Sequence, residues 1–415
     1  MRCWPISISS RTGFDPAEMD APLPAVQVSR RGEERLRLGH LWVFGDDLRG
    51  VPPGLSAGQW VSVTARSGEF LGTAMCNLSS RIALRLVSRG AAVPSKAFLK
   101  EGIRQALRRR EDAGLGSLEA LRLVYSEGDF LPGLVVDRYG ALLSVQILTA
   151  GMELLRREIV SIFAETLSPR LLYERSEGAP RRLEGLPERK GALAGDGPPQ
   201  ETVTLDGCRF LVNVETGPKT GFFLDQRENR KIVRDLARGR SVLDGFCSTG
   251  AFGMYALAGG ATSVLAVDVS REAVAAAGEN AARNGFGDRW EGREGNLFHV
   301  LRDLAGGGRR FDLVILDPPS FTKSREGREG AIRGYRDINR LGLSLLAPGG
   351  ILATSSCTQL VDMAKWNEAL RDAAADARAD VHVLARGGQS PDHPVLLGVP
   401  ETEYLKFTVL RTRGT

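Results

Sequence analysis

The sequence predicts an α/β chain in three parts: a small β-barrel, a mixed α+β block, and an open parallel sheet with helices on both faces. Three observations carry this expectation. From about Arg227 the apolar strands "SVLDGF", "SVLAVDV", "FDLVILDPP" and "GGILATSS" alternate with helical stretches, which is the spacing of βαβ units. Between about Val26 and Leu86, the short runs "QWVSVTAR", "EFLGTAMC" and "RIALRLVS" alternate in polarity between Gly and Pro turns, as in a small barrel. A length of 415 residues also exceeds one ordinary core.

Taken in order, residues 1–25 ("MRCWPISISSRTGFDPAEMDAPLPA") lack the apolar core of a secretory signal and read as a disordered leader. Residues 26–92 make the barrel. The block 93–215 opens with an amphipathic helix at 95–113. Strands then flank a Gly-Pro turn in "LVYSEGDFLPGLVVDRYGALLSVQIL", "GMELLRREIVSIFAETL" gives a helix, and "RLLYERS" and "CRFLVNVE" give strands. Its Pro-, Gly- and charge-rich segment 178–200 reads as a surface excursion. Residues 216–415 hold the parallel sheet, with helices at 250–258, 271–284, 296–304 and 333–347. "DVHVLA" and "EYLKFTVLR" close it as an antiparallel hairpin.

Composition narrows the class. Hydrophobic residues at 42% and charged ones at 25% are those of a soluble globular protein. No apolar run approaches the roughly 18 residues of a membrane span. Five scattered cysteines without a C-x-x-C motif predict reduced thiols and a cytoplasmic location, and four dispersed histidines predict no metal site. The net charge of +5 is mildly basic. Arg30, Arg31, Arg35 and Arg37 precede Trp42 and Phe44, and Arg104, Arg108, Arg109 and Arg110 crowd one helical stretch. Basic groups beside aromatics suit phosphate contact and base stacking, and a solvated charged face accounts for either cluster equally well.

Ligands of open α/β sheets bind at the carboxyl ends of the strands. The first strand ends in "LDGFCSTGAFG", where Gly245 and Gly250 have phosphate-loop spacing but Ala251 stands in the lysine position, and G-x-G-x-x-G is absent. Such a turn suits a nucleoside carrying a sulfonium and an amino acid, with Asp244 receiving the ammonium or sulfonium. Asp268 ends the second strand, placed either for ribose hydroxyls or as a helix cap, with Ser270 a rival cap. Asn296 suits the adenine amino group or a cap. Asp317, Pro318 and Pro319 make a rigid polar loop after the fourth strand. Together these acids and glycines indicate S-adenosylmethionine. Cys357 ends the next strand, either as buried filler or as a nucleophile.

The segments "ETGPKTGFFLDQRENR", "VLDGFCSTGAFG", "LDPPSFTKS", "GYRDIN", "SSCTQL" and "DHPVLLGVPETEYLK" resemble the bacterial 23S rRNA cytosine-5 methyltransferase family with an N-terminal PUA domain. "SRRGEERLRLGHLWVFGDDL" resembles its PUA domain, and "SEGDFLPGLVVDRYG" and "RRLEGLPERKGAL" its central domain. The fold implied is a Rossmann-like class I methyltransferase sheet behind a PUA-like domain and a central α+β domain. The resemblance implies Lys219, Phe222, Asp225, Gln226 and Arg227 near S-adenosylmethionine, and Asp244, Gly245, Thr249 and Gly250 under its amino-acid part. It implies Asp268 on ribose, Asp317 with Pro318 and Pro319 facing the methyl group, and Cys357 as nucleophile. It also implies large-subunit rRNA as partner and a homodimer. Asn296 stands where the family usually has an acid, and Cys247 where serine is commoner, so Cys247 is expected in the cofactor pocket wall.

Cytosine carbon 5 is too weak a nucleophile to attack a methyl sulfonium, and a thiolate adding to carbon 6 activates it. Ser320 occupies the loop where other RNA cytosine-5 methyltransferases carry a second cysteine, which leaves Asp317, a water or Lys323 to take the carbon 5 proton. Two other readings stay open. A guanine N-methyltransferase would need no cysteine, and a non-catalytic RNA-binding assembly factor would only hold the cofactor.

Overall fold

A computed structural model describes residues 22–322, 324 and 326–413. Most of the leader expected at 1–25 and the candidate base Lys323 lie outside the described residues.

The N-terminal part is a six-stranded sheet. Its spatial order is Trp42–Phe44, Ile82–Ser88, Phe70–Cys76, Trp60–Thr64, Ala25–Val28, Leu48–Gly50. Alternating residues Val61, Val63, Leu84 and Leu86 pack inward against Val26, Val28 and Leu36. The arginine-rich stretch, given no element in the sequence, is the helix Arg30–Arg37. Ser29 caps it, its Oγ accepting the Gly32 amide at 3.1 Å, and Leu36 is its apolar anchor in the core.

Helix Lys96–Asp112, capped by Ser95, leads into a five-stranded sheet ordered Arg189–Gly195, Leu171–Ser176, Leu142–Ile147, Leu134–Tyr139, Ala120–Tyr125. The segment 178–200 lies at the surface as expected, with only Arg181 and Glu184 buried, but it carries regular structure. It contains helix Ala179–Leu183 and an edge strand, Arg189–Gly195, that pairs antiparallel with Leu171–Ser176. Arg181 anchors it, a fully buried arginine donating to the Ile147 and Pro187 carbonyls and, at 2.9 Å, to Glu153. Tertiary partners override the weak local strand propensity.

The third sheet has seven strands, ordered Trp290–Glu294, Ser263–Asp268, Ser241–Gly245, Phe311–Leu316, Leu346–Ser356, Lys406–Thr412, Val381–Gly387. The first five are parallel, and the last two form the expected antiparallel pair. Helix Ala251–Ala258 covers one face with the hairpin Gln200–Leu205/Cys208–Asn213, while Leu297–Gly306, Arg328–Ser344 and Met363–Asp376 cover the other. The fold class expected from the sequence is the one observed. Strand order reverses between Ser241–Gly245 and Phe311–Leu316, which opens a crevice at their carboxyl ends. Among the described residues, no helix is long and apolar enough to cross a membrane.

Residues 388–405 tie the three parts together. The Asp392 carbonyl accepts from Arg110 at 2.7 Å, its carboxylate accepts the Arg122 amide at 2.8 Å, and Glu401 meets His40 at 3.1 Å. Gly398 packs directly on Gly39, where a Cβ would lie 2.4 Å from the Gly39 carbonyl carbon. Gly398→Ala is therefore expected to cost about 1–3 kcal/mol by overpacking. Gly306, which ends its helix with open space around it, is expected to tolerate alanine without loss. Urea unfolding of the two variants checks the contrast.

Candidate active site

The strand Ser241–Gly245 turns into helix Ala251–Ala258 through a tight loop. Phe246 (φ +63°) and Ser248 (φ +48°) are left-handed there, an uncommon state for residues with a side chain that is concentrated at functional sites. Gly250 (φ +77°) is required twice over, since a Cβ would also sit 2.9 Å from Ala277 and Trp290. The Ser248 amide donates to Asp268 at 2.9 Å, and the Ser270 amide donates to its other oxygen at 3.0 Å. Ser270 itself caps the next helix, accepting from Ala273, so Asp268 is not needed as that cap.

This loop forms one wall of a cavity of about 680 Å³, a typical small-ligand volume. Cys247, Thr249, Asp268 and Asn296 line it on this side, with Lys219, Asp225, Gln226, Asp317, Pro318 and Cys357 opposite. Asn296 is a helix cap, its Oδ1 accepting the Phe298 amide at 3.1 Å at the start of Leu297–Gly306, and it also lines the cavity. The lining also includes Phe223, Arg230, Phe246, Phe252 and Phe298, which the sequence reading missed. Aromatic walls suit a purine, and the cue was present as phenylalanines beside the glycine turn and the D-Q-R segment.

Five expected cofactor residues stand behind the wall rather than in it: Phe222, Arg227, Asp244, Gly245 and Gly250. Phe222 stacks under Arg230, and Arg227 pairs with Glu228 at 2.9 Å. Asp244 is 1% exposed, and its Oδ2 accepts the Gly253 amide at 2.8 Å, so it holds the helix N-terminus. Gly245 and Gly250 supply backbone shape.

Asp317 is also held in place. Its Oδ1 accepts from Gln226 at 2.8 Å and from Ser355 Oγ, and burial pushes its carboxyl above the usual range. Asp225 accepts from Tyr404 and lies 3.4 Å from Lys219; despite burial, Lys219 and His393 hold it ionised, below the usual range. Cys357 is half-buried at the end of strand Leu346–Ser356. Burial and the Asp317 charge push its thiol up, with Lys219 opposing. The thiol of Cys247 is pushed up as well by burial, with Asp244 and Asp268 adding to it. Lys406, opposite Ser356 across the antiparallel pair, is brought down to about 8 by burial, and its Nζ donates to the Thr358 and Tyr404 carbonyls at 2.8 Å each. A second opening of about 270 Å³, lined by Ser320, Thr322, Cys357, Gln359, Leu360 and Tyr404, adjoins the first at Cys357 and Ser320. Cys357 thus stands on the shared wall of two openings.

The expected RNA-binding groups are elsewhere, and most are already paired. Arg31 and Arg35 hold the buried Asp47 at 2.6 and 2.8 Å, Arg30 pairs with Glu34, and Arg37 pairs with Glu33 and Glu69. Arg104 pairs with Glu101 and Arg109 with Asp129, while Arg108 is exposed. Trp42 is not a free stacking surface: its Nε1 donates to Glu127 at 2.9 Å, and Arg85 lies 5.6 Å over its ring.

Burial pushes the Asp244 carboxyl up to about 7, and the charges of Asp317 and Asp268 add to the shift. The folded state therefore holds a proton that the unfolded chain releases near pH 4, and stability falls as pH rises from about 4 to 7. Asp244→Asn keeps the acceptor and removes the titration. The variant is expected to gain on the wild type across that window in urea midpoint, whereas a constant difference would assign the shift elsewhere.

Comparison with known proteins agrees with this architecture. Residues 191–407 match the family of S-adenosylmethionine-dependent methyltransferases, and residues 26–89 match a PUA-like domain. The chain is 38% identical over 396 residues to "Ribosomal RNA large subunit methyltransferase I" of Tolumonas auensis, covering 93% of this chain and 98% of that one. The protein of the same name from Aeromonas hydrophila is 38% identical over 392 residues, covering 92% and 97%. The solved structure of SMU.776 complexed with SAH shares the fold at a TM-score of 0.82 and 22% identity, covering 94% of this chain and all of that one. The chain belongs to the S-adenosylmethionine-dependent methyltransferase family.

Proposed function

We propose that this enzyme forms 5-methylcytosine in large-subunit ribosomal RNA through a covalent bond from Cys357. The observation that carries the reading is the position of Cys357 on the wall shared by the aromatic-lined cavity and the smaller opening. One opening suits the cofactor and the other a base. Large-subunit rRNA as substrate follows the name of the relatives, and action on ribosomal RNA goes with a cytoplasmic location. Assembly as a homodimer goes with the family resemblance.

The bound cofactor supplies an electrophilic methyl group. Cys357 would give its proton to water as its sulfur bonds to carbon 6, which moves the carbon 5–carbon 6 π electrons onto carbon 5. Carbon 5 would then bond to the methyl group as the methyl–sulfonium bond breaks with its electron pair going to the sulfonium sulfur. The carbon 5 proton would leave to a base, and the sulfur–carbon 6 bond would break with its electrons returning to the Cys357 sulfur, restoring the aromatic ring. Asp317, kept in one orientation by Gln226 and Ser355, is placed to hold the amino edge or N3 of the cytosine. Ser320 bonds to Thr358 at 3.0 Å and shapes the loop between the openings, where it offers no second thiol.

Fluorine at carbon 5 cannot leave as a proton, so 5-fluorocytidine RNA with S-adenosylmethionine is expected to trap a denaturant-stable protein–RNA adduct. Cys357→Ala is expected to give no adduct and no methylation, while Cys247→Ser keeps both. Because the thiol is raised, its thiolate fraction climbs about tenfold per pH unit near neutrality, and adduct formation accelerates accordingly from pH 7 to 8. Methylation surviving in Cys357→Ala would move the product to a nitrogen.

The helix Arg30–Arg37 is part of the proposed RNA surface. Exposed ion pairs contribute at most about 1 kcal/mol, so Arg30 and Arg37 are free to exchange a carboxylate for a phosphate. Arg31 and Arg35 instead neutralise the buried Asp47 and belong to the fold. Replacing Arg30 and Arg37 by Gln is expected to lower the salt slope of RNA binding by about 1–2 with cofactor affinity unchanged. An unchanged slope in a filter-binding titration would remove this helix from the interface.

A further inference from the structure

Arg230 lies one turn beyond Arg227 on helix Arg227–Leu236, and it reaches the cavity wall where Arg227 does not. It is 2% exposed. Its guanidinium lies 4.7 Å from the centroid of the Phe222 ring and 5.7 Å from that of Phe252. One nitrogen, Nη2, donates to the Phe223 carbonyl. Nε and Nη1 have no hydrogen-bond partner among the described residues. Asp225, Asp244 and Asp317 act on it through space, yet none of them forms an ion pair with it, and burial draws the guanidinium below its usual range.

A buried arginine with two unmet donors is costly, because guanidinium stays charged in proteins and each unmet donor loses its hydration. The same cavity also has an unmet acceptor, Asp225 Oδ1. Orphaned groups of both signs in one wall complement a zwitterion. The cofactor of this family has one: the α-amino acid at the end opposite its adenosine. We infer that Arg230 receives the α-carboxylate of S-adenosylmethionine and so fixes which way the cofactor lies in the cavity. The adenosine end then falls toward Asp268 and Asn296, and the sulfonium between the two ends falls toward Asp317 and Cys357. This inference rests on cofactor use and is independent of whether Cys357 is the nucleophile.

Calorimetric titration of the full chain without RNA tests it, using S-adenosylhomocysteine, its decarboxylated counterpart and 5′-methylthioadenosine. Wild-type protein is expected to bind S-adenosylhomocysteine at least about thirtyfold more tightly than the decarboxylated ligand, as for a buried charge pair that loses one partner. Arg230→Met is expected to bind both at the weaker level and methylthioadenosine as before, and Arg230→Lys to retain part of the preference. Equal wild-type affinities for the first two ligands would overturn the inference with no variant needed. Full discrimination surviving in Arg230→Met would overturn it too, as would a parallel loss of methylthioadenosine binding, the mark of a purely structural arginine.

Discussion

The site depends on keeping charge buried at the carboxyl edge of the seven-stranded sheet. Asp225 and Asp244 are 4% and 1% exposed, Asp317 is half-buried, and all three act electrostatically on Arg230. Each is held differently. Asp244 holds a helix N-terminus, Asp317 is fixed by Gln226 and Ser355, and Asp225 is fixed by Tyr404 and Lys219. Their ionisation diverges accordingly: the first two are raised by burial, while the third is held ionised by nearby cations. A cavity built this way favours a ligand that carries positive charge toward the carboxylates and negative charge toward the guanidinium.

The rigidity of that edge comes from outside the sheet. Residues 388–405 run from the edge strand back to the next, and on the way they bond to all three parts of the chain. The Ser390 amide donates to the Asp225 carbonyl at 2.9 Å, Asp392 engages the central part through Arg110 and Arg122, and Glu401 engages the N-terminal part through His40. Tyr404, from the same segment, reaches Asp225 and lines the smaller opening. The segment that meets the N-terminal domain at His40 is thus the one whose Tyr404 lines the wall of the proposed base site.

Cys357 presents a tension between reactivity and protection. A thiol in a half-buried site beside a carboxylate is less ionised than one in water, and the positive charges available to offset this are Lys219 across the cavity and Lys406 across the strand pair. A site of this kind favours the protonated thiol.

Much of this was legible in the sequence. Periodicity at two and at three to four residues placed four of the five parallel strands, most of the helices and the closing hairpin, because burial leaves a repeat that needs no partner to be read; the mostly exposed edge strand Trp290–Glu294 carries no such repeat and was missed. The D-G turn, Asp268, Asn296, the D-P-P loop and Cys357 follow from the rule that such sheets bind ligands at strand ends. What only the tertiary structure decided is which side chain of each motif faces the cavity. Asp244 turns away to a helix amide while Arg230 turns in, and the arginines of 30–37 are largely spent on Asp47 and neighbouring glutamates. The physical reason is that a motif's residue types are set by local chemistry, whereas the direction of a charged side chain is set by whichever oppositely charged or polar group folding brings within hydrogen-bond reach, often from a hundred or more residues away.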